Sequence, residues 1–179
     1  MGSDILKFIN WGDAMKIRTC LWLVLLTTIM PAGLLYAQEK QTVGWIERAH
    51  ITPGDITLDA KLDTGADGTS INALDINKFE RDGKTWARFT IDDKKGHKVT
   101  LEREIIGHKT IVRHGCPNQE RYVVNLGICL GSHYVEERVG LVDRRILKYP
   151  LLIGRSFMAG RIIPDPSVKY TTEPACQEK

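Results

Sequence analysis

The chain has 179 residues, with 25 Lys or Arg against 22 Asp or Glu and a formal charge of +3. Charges of both signs are interspersed along it, the pattern of a solvated globular surface, and so slight an excess argues against a nucleic-acid partner.

The N-terminus is set apart before any fold is considered. Lys16 and Arg18 precede an apolar run over residues 20–37 that closes at Ala37. A basic flank, an apolar stretch and a small residue at a cut site read as a secretory signal. The same run is just long enough to be an uncleaved membrane anchor. The sequence therefore divides into a signal or anchor (1–37), a folded domain (38–170) and a flexible polar tail (171–179), facing the periplasm or tethered to the inner membrane. Translation starts at Met1 or Met15. Residues 38–179 carry 22 basic and 20 acidic groups, enough chain for one domain with its own core.

Residues 43–51 predict a strand. Thr52-Pro53-Gly54-Asp55 then predicts a type II turn, with Pro and Gly at its centre. The next segment alternates Ile56, Leu58, Ala60 and Leu62 with Thr57, Asp59 and Lys61, the period of a half-buried strand. It delivers Asp63 to the strand end, where Thr64-Gly65 forces a turn. A short extended segment follows at 70–74. Asp82-Gly83 pairs 78–81 with 84–91 as a hairpin, and 93–96 turns the chain into 97–101. Two extended arms between 105 and 124 surround a tip that holds His114, Gly115, Cys116 and Pro117. Strands are also expected at 123–130, 134–142 and 151–153, with one helical turn at 155–159. Short strands separated by frequent turns predict a mostly β domain, a closed barrel or a sandwich.

Chemistry is concentrated in two blocks, Lys61 to Ser70 and Tyr149 to Met158. An apolar strand running into Asp63-Thr64-Gly65-Ala66-Asp67, followed about ninety residues later by Leu151-Leu152-Ile153-Gly154-Arg155, resembles the retropepsins, the aspartic peptidases of retroviral type. Within that group the chain is most similar to a bacterial family often labelled ATP-dependent zinc protease. That resemblance rests on Asp63–Ala66, Asp143-Arg144, Tyr149–Arg155 and Asp165-Pro166-Ser167. The label is not followed here, because the sequence has neither a zinc-ligand cluster nor a Gly-x-x-x-x-Gly-Lys phosphate loop. No metal and no cofactor are expected. The family is also linked with enzymes that ligate amino acids to peptides or proteins.

The resemblance implies a retropepsin-like subunit with one short helix, and an endopeptidase acting on a peptide or protein. Asp63 would be the catalytic aspartate, with Thr64 and Gly65 completing the catalytic turn. Ala66, Asp67 and Ile153 would line the substrate groove, and His114 and Gly115 would contribute from a flap. Asp67 and Arg155 would form an ion pair within the subunit. Such chemistry needs two carboxylates, one protonated and one charged. The chain carries a single Asp-Thr-Gly, and Asp143 and Asp165 sit in different local sequences, so the second Asp63 would come from a two-fold mate in a homodimer. The alternative is an exported peptide-binding or regulatory module with the same fold and no turnover. Cys116, Cys129 and Cys176 allow one disulfide, and their spacing does not choose the pair.

Overall fold

The computed structural model describes residues 40–111, 115 and 119–176. The signal or anchor region, His114 and Cys116 lie outside the described residues. Among the described residues, eleven strands and one helix occur in the order β1 (Gln41–Gly44), β2 (Ile46–Thr52), β3 (Ile56–Leu62), β4 (Thr69–Arg81), β5 (Lys84–Asp92), β6 (Lys98–Glu104), β7 (Gly107–Ile111), β8 (Gln119–Leu130), β9 (His133–Val142), β10 (Leu151–Ile153), α1 (Arg155–Met158) and β11 (Ile162–Asp165). The expected mostly β class with one short helix is observed.

Six strands close on themselves in the order β10-β3-β2-β8-β9-β4, because β4 pairs back onto β10. Closure leaves no edge in that ring. Its interior is filled by alternate side chains: Ile56, Leu58, Ala60 and Leu62 from β3, Val124, Leu126, Ile128 and Leu130 from β8, and Leu151 and Ile153 from β10. Phe157 of α1 is fully buried in the same cluster. Beyond the ring, β4 runs on to pair with β5, and β5 with β6. Asp82 and Gly83 both take positive φ, 52° and 70°, as a two-residue hairpin turn requires.

The structure differs from expectation in four places. The strand expected over 43–51 divides at Trp45, because β1 leaves the barrel to pair in parallel with β11. The segments at 70–74 and 78–81 are one strand, with a register shift between Leu74 and Asn77 and Asp75 at φ 52°. Where a type II turn over 52–55 was expected, β2 and β3 are joined by Pro53, Gly54 and Asp55, with a cis Thr52–Pro53 peptide and positive φ at both Gly54 (127°) and Asp55 (50°). Finally, residues 171–176 are not a frayed tail. Thr171 and Thr172 donate four hydrogen bonds to the buried carboxylate of Glu47, and Cys176 is disulfide-bonded to Cys129. That bond settles the pairing the sequence left open. A carboxylate buried at the end of a barrel needs donors, and polar threonines meet that need.

Candidate active site

Asp63 follows β3 directly, and two elements hold its turn. Its own backbone closes the near side: the Gly65 amide donates to Oδ1 at 3.0 Å, and the Ala66 amide to the Asp63 carbonyl at 3.1 Å. Strand β10 closes the far side. Its register places Ile153 opposite Leu62, and the Asp63 amide donates to the Ile153 carbonyl at 2.9 Å. Past β10, the Arg155 amide donates to Ala66 O and the Ser156 amide to Asp67 O. The two sequence blocks, separated by ninety residues, are therefore one loop-on-loop assembly.

Gly154 makes that contact feasible. A Cβ there would lie 2.5 Å from the carbonyl carbon and oxygen of Gly68, which no side chain tolerates. Gly65 answers a milder constraint, since its Cβ would meet Asp63 Oδ1 at 3.2 Å. Thr64 and Gly65 are exposed at the tip of the turn, and the Asp63 side chain is 29% exposed. Asp143 chelates Arg145 and Asp165 accepts from Ser167, so each is engaged in its own local turn.

The remaining expected site residues divide. Asp67 and Arg155 do pair, at 3.4 Å, and Arg155 also donates to the Thr64 carbonyl at 3.0 Å. The pair is exposed, however, at 53% for Arg155 and 81% for Asp67. Ala66 is half-buried and adjoins the turn. Ile153 is a correction: it is fully buried among core side chains and cannot line a groove. Strand alternation explains this, because Ile153 and Leu151 point inward while Leu152 points out. The β7 and β8 arms form the hairpin expected of the flap, and Gly115 at its tip is exposed with φ 77°. A cleft of about 450 Å³ separates the β7 arm, at His108 and Lys109, from Asp67, Gly68 and Thr69. Another cavity, of about 490 Å³, surrounds the Cys129–Cys176 bond and does not include the Asp63 turn. Among the described residues, no three His, Cys, Asp or Glu side chains are grouped to hold a metal ion.

Two basic residues that had been given no role also belong here. Lys61 shares the outward face of β3 with Asp63, and its Nζ lies 3.3 Å from Asp63 Oδ2. Period-2 alternation was the signal that would have found it. Arg144 is 6% exposed, donates to Ser70 Oγ at 3.1 Å and to the Tyr149 carbonyl at 3.2 Å, and takes its backbone position from Asn72 Oδ1. Burial, and then Arg121, push its guanidinium below the ordinary arginine range, while Asp63 opposes the shift. No spacing rule predicts this convergence, because Arg144 reaches the site through the fold of β4 against β9.

The model of the RimB-like family, described as the retropepsin-like aspartic endopeptidase RimB, matches residues 42–175. Proteins named probable alpha-L-glutamate ligase from Shewanella halifaxensis and Desulfotalea psychrophila are 31% and 29% identical over 116 residues. These matches cover 63% of this chain, which spans about a quarter of those relatives' length. The crystal structure of a Legionella pneumophila protein of unknown function superposes with a TM-score of 0.65 at 33% identity, over 75% of this chain and all of that one.

Proposed function

The chain belongs to the RimB-like family of retropepsin-like aspartic endopeptidases, and on that premise we propose that it hydrolyses peptide bonds as a homodimer. The observation that carries this reading is the Asp63 turn. Its carboxylate is oriented by the Gly65 amide and its tip is free to meet a copy of itself. Across a two-fold axis the two Asp63 carboxyls hold one proton and one water between them. The charged carboxylate takes a proton from the water, whose oxygen attacks the scissile carbonyl. The protonated partner gives its proton to the carbonyl oxygen. The carboxyl that took the water's proton passes it to the amide nitrogen, and as the C–N bond breaks a hydroxyl of the gem-diol returns its proton to the other carboxylate, which restores the singly protonated pair.

The relatives' name points the choice of substrate to glutamate-rich peptides, since ligation and hydrolysis act on the same amide bond. The apolar run at 20–37 and the Cys129–Cys176 disulfide both suit an exported enzyme working in an oxidising compartment. The β7–β8 hairpin, in this reading, closes over the bound peptide.

The test is digestion of a peptide library that includes oligoglutamates by the 38–179 fragment, wild type against Asp63→Asn. Cleavage is expected in wild type alone, with activity rising faster than protein concentration and no loss with EDTA. Cleavage that survives Asp63→Asn would remove the aspartic mechanism. If wild type cleaves nothing and Asp63→Asn still binds peptide, the silent binding module replaces the enzyme.

A further inference from the structure

Residues 171–176 form neither strand nor helix, and Thr171, Glu173 and Ala175 are exposed. Ordering such a segment costs chain entropy that little apolar burial repays. Polar contacts and one covalent bond hold it. Thr171 and Thr172 donate to Glu47, Glu173 pairs with Arg48, the Ala175 amide donates to the Gly131 carbonyl, and Cys176 is bonded to Cys129. The segment is a strap running past β2, fastened at its far end by the disulfide.

The strap reaches the Asp63 turn through Glu47. That carboxylate is fully buried, and its donors are the Gly44 amide, at 2.7 Å, and the strap's threonines. Trp45, next to Gly44, accepts from the Leu62 amide at 2.9 Å, one residue before Asp63. The segment leading into the strap holds the same stretch: the Trp45 amide donates to the Asp165 and Val168 carbonyls, and the Tyr170 amide to that of Ile46. Without the threonines the buried carboxylate keeps only the Gly44 amide. A buried charge so poorly bonded is costly, so Glu47 and Gly44 move together.

The fastening is open to chemistry from solvent. A cavity of about 490 Å³ is lined by both cysteines together with His50, Tyr134, Glu173 and Pro174. Cys129 on β8 is 7% exposed, whereas Cys176 on the strap is half-buried. We propose that the Cys129–Cys176 bond is a thiol–disulfide exchange site for a dithiol, and that its reduction frees the strap and loosens the Asp63 turn. A thiolate of the dithiol attacks Cys176 Sγ, and the protein disulfide breaks as the mixed disulfide forms. Cys129 leaves as a thiolate and takes a proton from solvent. The second thiol, having given its proton to solvent, attacks its own end of the mixed disulfide and releases Cys176, which is protonated in turn. The dithiol is oxidised to a cyclic disulfide and the protein gains two electrons and two protons. Only the activity readout below depends on the endopeptidase reading.

The experiment treats the oxidised full chain with dithiothreitol in buffer and across a urea series. Alkylation mapped to Cys129 and Cys176 follows the bond, and amide hydrogen exchange follows the fold. Reduction should proceed from the native state, at a rate proportional to dithiol and level in urea below the unfolding transition. The Gly44, Leu62, Thr171 and Thr172 amides should then lose protection while β8 and β9 keep theirs, and reoxidation should restore them. For a cleaved peptide, kcat/KM should fall roughly tenfold to a hundredfold on reduction, the scale set by a misplaced catalytic group.

Reduction that rises with urea only in step with unfolding makes the bond purely structural and overturns the proposal. Native-state reduction with Leu62 protection unchanged, or with protection lost throughout the barrel, overturns it as well. Cys129→Ser combined with Cys176→Ser should match the reduced wild type and ignore dithiol. A response that persists there belongs to Cys20 or Cys116 and removes the proposal. If no form cleaves peptide, the endopeptidase reading fails and the exchange measurements alone decide this one.

Discussion

The Asp63 amide donates to the Ile153 carbonyl at 2.9 Å, and one residue later Gly154 passes so close to Gly68 that a Cβ would stand 2.5 Å from its carbonyl. The Asp63 turn is therefore braced by backbone from the other end of the domain. Gly154→Ala should force the two loops apart, destabilising the protein by about 3 kcal/mol and abolishing hydrolysis. Gly160→Ala has only a positive φ, 77°, and nothing within 4 Å of its Cβ to contend with. It should cost about 1 kcal/mol with activity retained. Urea melts and peptide assays on the two variants check the contrast.

Arg155 bridges Asp67 and the Thr64 carbonyl from an exposed position. An exposed pair contributes under about 1 kcal/mol, so Arg155→Lys should barely move the melting curve of the subunit. Its planar fork is what spans two acceptors, and a lysine cannot reproduce that. Hydrolysis should therefore fall more than stability does. A large drop in melting temperature at unchanged activity would contradict this account.

Glu47 holds Gly44, Thr171 and Thr172 from a fully buried carboxylate. Glu47→Gln replaces an acceptor with a donor amid donors, and should cost about 2–3 kcal/mol. Replacing Cys129 and Cys176 with Ser opens a loop spanning 47 residues, for which chain entropy sets a loss of about 4 kcal/mol. Both changes loosen the same C-terminal segment, so their effects should fall short of additive in a denaturant series.

Acid should destabilise the domain through its surface carboxylates. The Lys94 amide holds Asp92 below the usual carboxylate range. Arg81 and Arg88 do the same for Glu102, and Arg145 for Asp143. A carboxyl whose pKa is lower folded than unfolded stabilises the fold above the unfolded value, and that contribution is lost as pH falls through the folded one. The melting temperature should be level above about pH 5 and decline below about pH 4. Asp92→Asn combined with Asp143→Asn should flatten the decline.

Local chemistry was written in the sequence. Alternation over 56–62 set the β3 strand, Asp82-Gly83 set the β4–β5 hairpin, and Asp63-Thr64-Gly65 with Leu152-Ile153-Gly154-Arg155 marked the Asp63 turn and its brace. Each depends on the φ preferences and side-chain directions of neighbouring residues, which a short window contains. What lay beyond such a window was decided by the closed barrel. The register of β10 against β3 and β4 turned Ile153 inward and Leu152 outward, removing Ile153 from the groove. Pairing of β4 with β9 carried Arg144 to Ser70 and into the field of Asp63. Cys129 found Cys176 because the Glu47 clamp and the Ala175 amide, donating to the Gly131 carbonyl, lay the C-terminal segment against the β8–β9 turn. Burial and charge pairing depend on which distant strands become neighbours, and only ring closure settles that.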